Sequence, residues 1–191
     1  MSLRRGGPGV VRAGIVAIMV VLSGSQVGAS AARAASSGPV VATCRFAQLV
    51  LGPGGGAAGL SHQALNVEII NASARACSLR GYASLQALNQ RGTSVPLRVR
   101  HGEDYLFRAR AVRRVVIGPQ SVASFSLGFY ATHTYEGLGR VVGCVATTLT
   151  IELPGVRSAA QFAIPTGFDS CFYHGVLDES PILPGARGAT I

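Results

Sequence analysis

The side chains able to do chemistry in this chain are few, and arginine dominates them. Arg98, Arg100, His101, Arg108, Arg110, Arg113 and Arg114 crowd one stretch. Guanidinium groups present rigid forks of donors that suit phosphates and carboxylates. If Arg98, Arg100, Arg108 and Arg110 stand on neighbouring strands with the same outward parity, they form a candidate anion-binding face. Envelope phosphates, anionic lipids or glycans are then the candidate ligands. The plainer reading is a solvated face that keeps the chain soluble and guards a sheet edge. Lysine is absent throughout. Its absence excludes a Walker lysine for nucleotide phosphates, a Schiff-base lysine and a Ser-x-x-Lys acyl-enzyme site.

The histidines, His62, His101, His133 and His174, read as residues of four separate loops. They show no His-x-His or His-Glu-x-x-His spacing, so no metal site is expected. Glu103-Asp104 and Asp178-Glu179 read as adjacent loop carboxylates, solvated and ionised, rather than the pair held across a cleft that glycoside hydrolysis requires. No Gly-x-Ser-x-Gly elbow occurs. The expectation is a non-catalytic protein with no cofactor. The alternative is an envelope hydrolase with a non-obvious His/acid site, for which His133 with Glu136, or His174 with Asp178, is the place to look. Nucleic acid is not an expected partner, because no aromatic platform interleaves with the arginines.

The elements that must position these groups read as strands. Arg45–Leu51 is the first, ended by Gly52-Pro53-Gly54-Gly55-Gly56 acting as a flexible connection. In the second, Leu60–Ile70, the residues Leu65, Val67 and Ile69 alternate with Asn66 and Glu68. Asn71-Ala72-Ser73 breaks it; this Asn-x-Ser is a glycosylation acceptor in some hosts and, more plainly, an Asx-turn. Ala83–Leu88 is a third strand, turned by Asn89–Gly92. Val95, Leu97 and Val99 form the apolar face of a fourth, with Arg98 and Arg100 opposite and Pro96 marking an edge. A basic strand follows, with Val115 and Ile117 as its core residues, and Gly118-Pro119-Gln120 turns the chain. Ala123, Phe125, Leu127 and Phe129 then alternate with Ser124, Ser126 and Gly128, the clearest strand pattern present. Thr132–Gly143 reads as a long surface loop. Val145–Leu153, Ala159–Ile164 and Val176–Ile182 close the series. No segment keeps helical periodicity for three turns. The fold expected is all-β: an antiparallel β-sandwich of eight or nine strands, immunoglobulin-like but without the Trp of antibody domains.

Organisation along the chain points to export. Arg4, Arg5 and Arg12 precede an apolar run, Gly14–Leu22, and then small residues, the order of a secretory signal peptide. The run is too short to span a bilayer comfortably, and no later stretch approaches membrane length. Cleavage near Ser30 or Ala32 is expected, giving residues 1–31 as signal, 32–42 as a flexible tether and 43–191 as the β domain. Removing three arginines lowers the net charge from +9 to +6. Cys44, Cys77, Cys144 and Cys171 then face an oxidising compartment, where disulfides are the default. Of the three possible connectivities, the two sequential pairs, Cys44–Cys77 and Cys144–Cys171, each tie a strand to the next unit, and two disulfides are expected to brace the sandwich. A secreted or envelope-associated location follows, with an envelope component or a secreted protein as the expected partner and no membrane span after cleavage.

Several of these residues carry a resemblance. Cys44 on the first strand, the run Leu65–Asn71 ending in Asn-x-Ser, Cys77-Ser78-Leu79-x-Gly81-Tyr82, Leu153-Pro154-Gly155, Cys171 and the closing Ser180-Pro181 resemble the actinobacterial domain of unknown function four-two-three-two. The Cys-Ser-Leu-x-Gly-Tyr segment is the most specific of them. The resemblance implies secreted proteins or lipoproteins of the cell envelope, with a β-sandwich and paired cysteines and no assigned biochemical role. Two features depart from it. Val41-Ala42-Thr43-Cys44 is a weak lipobox, and Gly118-Pro119 stands where the family tends to show Pro-Gly.

Overall fold

The computed structural model describes residues 40–130, 146–168 and 172–188. Among them the chain is all-β, with two single-turn 3-10 segments, Phe46–Gln48 and Tyr173–Gly175, and no α-helix. In chain order the strands are β1 (Leu49–Gly59), β2 (His62–Asn71), β3 (Cys77–Leu79), β4 (Ser84–Leu88), β5 (Ser94–Val95), β6 (Arg98–His101), β7 (Val115–Ile117), β8 (Val122–Tyr130), β9 (Thr148–Glu152), β10 (Ala159–Ala163), β11 (Val176–Glu179) and β12 (Leu183–Pro184). They make one sheet in the order β1-β2-β8-β11-β6, with β12 also on β8. A second sheet runs β10-β9-β4-β5, and β3 pairs with β7. The pairings are antiparallel except β11 with β6, which run parallel. The large sheet is therefore mixed, whereas the second sheet and the β3-β7 pair are antiparallel.

The apolar alternation read from the sequence builds a single main core. Leu65, Val67 and Ile69 of β2 and Phe125, Leu127 and Phe129 of β8 pack there with Ala87 of β4, Leu149 and Ile151 of β9 and Phe162 of β10. The second face of β8 departs from expectation. Ser124 and Ser126 are buried too, because residues 180–188 fold across them, and Gly128 is buried under the 102–107 loop. Ser126 donates its amide to Ser180 Oγ (2.8 Å) and its hydroxyl to Asn66 Oδ1 (2.7 Å), and the Gly188 amide donates to Ser124 Oγ (2.8 Å). Small side chains are what let a covered face stay close-packed, and their hydroxyls keep the covered polar atoms bonded.

Three local readings need correction. The first strand begins later than Arg45 and runs straight through the glycines: Phe46–Gln48 is a 3-10 turn, and β1 extends to Gly59 with a bulge between Pro53 and Gly56. Gly56 explains the choice of residue there, since a Cβ would lie 2.5 Å from the Phe168 ring and 2.6 Å from the Ala64 carbonyl oxygen. The reversal falls instead on Leu60 and Ser61, both at positive φ (47° and 65°), as a two-residue type I′ hairpin requires. Next, the stretch around Pro96 is two strands. Val95 pairs with Ala87 in the second sheet, whereas Arg98–His101 pair with β11 in the first, so the chain changes sheets at a residue that has no N–H for either ladder. Finally, Arg108 and Arg110 lie in irregular chain, and the basic strand is confined to Val115–Ile117.

Asn71 is fully buried and its amide donates to the carbonyls of Arg75 (2.8 Å) and Ile117 (2.9 Å), while its Oδ1 accepts from the Ser73 amide (3.0 Å). It is an Asx-turn inside the fold, with its nitrogen turned away from any modifying enzyme. The expected Cys44–Cys77 bridge is present. Cys144 and Cys171 lie outside the described residues, as does the whole of Thr132–Gly143. At the start of the described chain, Ala42 accepts from the Ser78 amide (2.9 Å), and Arg114 donates to the Val41 carbonyl and the Ser78 hydroxyl. Those two residues at the end of the stretch read as a tether are thus bonded to the domain.

The Cys44–Cys77 bridge spans a sequence separation of 33, a closure that chain entropy values at about 4 kcal/mol. Replacing both cysteines by Ala should lower the unfolding free energy by about that much in a denaturant titration. An unchanged midpoint contradicts this account of the bridge.

Candidate functional site

The covered second face of the large sheet does not extend over its whole length. Beside it, where the hairpin delivers His62 to the start of β2, a cleft of about 810 Å³ opens. One of its walls, the 102–107 loop, is seated on a glycine. Gly128 pairs with Ala64 on one side and Asp178 on the other. A Cβ on it would lie 2.5 Å from Asp104 Cγ and 2.7 Å from the Phe107 ring. The bare backbone therefore admits the 102–107 loop against the sheet. Phe107 and Leu106 anchor that loop in a small second cluster with Ala64. Asp104 and Phe107 also exchange backbone hydrogen bonds (3.1 and 3.3 Å).

The Asp104 side chain is consequently only 3% exposed, and its contacts use both oxygens. Oδ1 accepts from the Leu106 amide (3.0 Å), and Oδ2 lies 3.3 Å from His62 Nδ1. The His62 ring touches Tyr105 at 5.1 Å with a 33° tilt and meets Tyr130 edge-on at 5.2 Å. Across the cleft, the Arg100 guanidinium grips Asp178 with two parallel bonds, Nε to Oδ1 (2.8 Å) and Nη2 to Oδ2 (2.6 Å). The hydrogen bond and charge of Asp178 raise the Arg100 pKa further above its ordinary value. Arg108, Glu103 and His174 complete the polar lining.

The four arginines singled out from the sequence are thus divided. Arg100 and Arg108 line the cleft, while Arg98 and Arg110 are exposed and stand outside its lining. Of the histidines, His62 and His174 face this one cleft, and neither His62 nor His101 is in a loop: they lie on β2 and β6. His133 and Glu136 fall outside the described residues. The acids differ most from expectation. The Asp104 side chain is buried by its loop, and Asp178 and Glu179 are strand residues of β11, buried rather than solvated. Strand parity supplies the missing signal, because Glu179 shares its face with Leu177.

Glu179 is 0% exposed on the opposite side of β11 from the cleft. Its Oε1 accepts from the Ala83 amide (2.7 Å), whereas Oε2 has no hydrogen bond. His101 Nε2 is 3.4 Å from Oε2 but is not aligned to donate, and its ring stacks on Tyr82 with centroids 4.0 Å apart. Burial pushes the Glu179 carboxyl up to about 8, opposed in part by the Ala83 N–H. No group of three or more His, Cys, Asp or Glu among the described residues could hold a metal ion. Nor is any helix among them long and apolar enough to cross a membrane.

With this geometry in view, the chain compares as follows. A family model described as Domain of unknown function (DUF4232) matches residues 44–174. No curated protein and no solved structure matches the chain.

Two outcomes follow from the site. Valine is a better strand former than glycine, yet Gly128→Val should destabilise the fold by about 2 to 4 kcal/mol in chemical denaturation, because it ejects the 102–107 loop; a stabilised variant contradicts the contact. Folded Glu179 keeps its proton to about pH 8, whereas the unfolded chain releases it near 4.5. The folded state binds the extra proton, so this contribution is complete below pH 4.5 and is lost as pH rises through 8. Unfolding free energies measured across that range should fall with pH in the parent and fall less steeply in Glu179→Gln; equal slopes contradict the burial.

Proposed function

We propose, from the premise that this chain belongs to the Domain of unknown function (DUF4232) family, that it is an exported, non-catalytic module of the cell envelope that binds an envelope component through the cleft at His62, Asp104 and Arg100. Residues 1–31 act as its secretory signal. Its domain is an immunoglobulin-like β-sandwich with a second bridge between Cys144 and Cys171, and its hosts are actinobacteria. The Cys44–Cys77 bridge is compatible with an oxidising compartment. The observation that carries the binding reading is the cleft itself. Its volume lies in the range of small-ligand sites, and four of its polar side chains, Arg100, Asp178, Asp104 and His62, are held in place by neighbours.

A second reading, an envelope hydrolase, draws on one observation. A buried carboxylate on the Nδ1 side of an imidazole is how an acid orients a general base, and Asp104 stands so towards His62. The described lining contains no Ser, Thr or Cys, so the attacking group would be water or one of the lining carboxylates.

Expression with residues 1–31 in the native host, followed by mass spectrometry of the envelope fraction, tests the export: the mature chain should begin near Ser30 or Ala32. That purified form should be retained on envelope fragments, and Arg108→Glu should weaken its retention. A chain found only in the cytosol, or equal retention of the two forms, contradicts the proposal. Turnover of envelope material that His62→Ala abolishes would establish the hydrolase instead.

A further inference from the structure

The same cleft narrows the chemistry of its occupant, and this inference rests on the binding reading above. Five charged side chains line it: Arg100 and Arg108 against Glu103, Asp104 and Asp178. The carboxylates outnumber the guanidiniums, and one of the two guanidiniums is already bound twice by a carboxylate. An anion entering here would meet three carboxylates against two guanidiniums, and only one of those two, Arg108, is not already gripped by a carboxylate. What the lining offers is alternation of donors and acceptors at fixed positions. Arg100 spends two of its five N–H groups on Asp178 and keeps three, while the carboxylates keep unused lone pairs.

The other half of the lining is aromatic. Tyr105 is 54% exposed, a large aromatic side chain left in water along the cleft. It is supported from behind by the His62 ring, which Asp104 holds and Tyr130 abuts. A presented ring face of this kind attracts the polarised C–H groups of a flat, hydroxylated ring. Neighbouring hydroxyls, each a donor and an acceptor at once, match the alternating polar wall opposite.

We infer that the cleft takes a neutral saccharide, one sugar ring lying on Tyr105 with its hydroxyls bonded to the Arg100–Asp178 pair and Arg108. An aromatic lip beside carboxylates also suits a small organic cation. The fixed guanidinium fork favours the sugar, because a cation would sit against like charge.

The test uses the mature chain on an array of neutral and acidic oligosaccharides, followed by titration calorimetry with the neutral glycan bound best, and with choline and inorganic phosphate as the charged probes. Neutral glycans should bind. Their affinity should change by less than about twofold between low and high salt, since no net charge is neutralised. Tyr105→Ala should weaken binding about tenfold or more, and Tyr105→Phe should restore most of it, because the ring rather than its hydroxyl provides the platform. Circular dichroism identical to the parent confirms that each variant is folded. Binding confined to acidic glycans or phosphate, binding of choline that neutral glycans fail to displace, or no glycan bound at all overturns the inference. Retention on envelope fragments without any neutral glycan bound sinks the saccharide and leaves the binding module standing. Neutral glycan bound without such retention does the reverse.

Discussion

The constraint on which the rest depends is that β8 must be covered on both faces. Its large residues, Phe125, Leu127 and Phe129, face the main core, and that half is ordinary. The other half works only because Ser124, Ser126 and Gly128 are small. A side chain larger than serine at 124 or 126 would lift residues 180–188 from the sheet, and any Cβ at 128 would strike Asp104 and Phe107. Close packing of a covered face leaves little tolerance for added atoms. From that one strand come the docking of the chain end, the seat of the 102–107 loop and the depth at which Asp104 lies.

The cleft is a consequence of this arrangement. The hairpin at Leu60 and Ser61 places His62 where the covered face ends. The sheet change at Pro96 places Arg100 in register with Asp178. Gly175, at φ +65°, approaches the Pro96 carbonyl so closely that a Cβ would lie 2.7 Å from it, which locks the approach of β11 to β6. Successive residues of the β11–β6 ladder then face opposite ways. Asp178 and Arg100 form an ion pair in the cleft, while Glu179 and His101 meet behind it. A partly exposed bidentate pair is inexpensive to hold. A buried carboxyl with one bare oxygen is not, and it trades charge for a proton.

Much of this architecture was legible in the residues. The period-2 runs of β2, β8 and β9 announced strands, and the turns at Asn89–Gly92 and Gly118–Gln120 fell where glycine, proline and asparagine put them. The Cys44–Cys77 pairing and the Asn71 turn were readable from compartment chemistry and side-chain capping. What escaped was everything that depends on a second layer. Serine and glycine on β8 look like a wet face until the chain end and the 102–107 loop are known to cross them. A glycine-rich run looks like a loop until Phe168 is seen packed on Gly56. Asp104 and Glu179 look solvated because burial of a carboxylate is set by distant segments. The four arginines were visible as a cluster, but their division between cleft and surface was not, since Arg108 and Arg110 follow no strand.

The most direct measurement of the central claim is a through-space NMR experiment on the folded chain. An α-proton of Gly128 should show a strong nuclear Overhauser effect to the Phe107 ring, and the amides of Ser124 and Ser126 should exchange with deuterium as slowly as those of the core-facing Phe125 and Leu127 beside them. If that cross-peak is missing while the β8 amides exchange freely, the strand has an open face, and the cleft built on it does not exist in the form described.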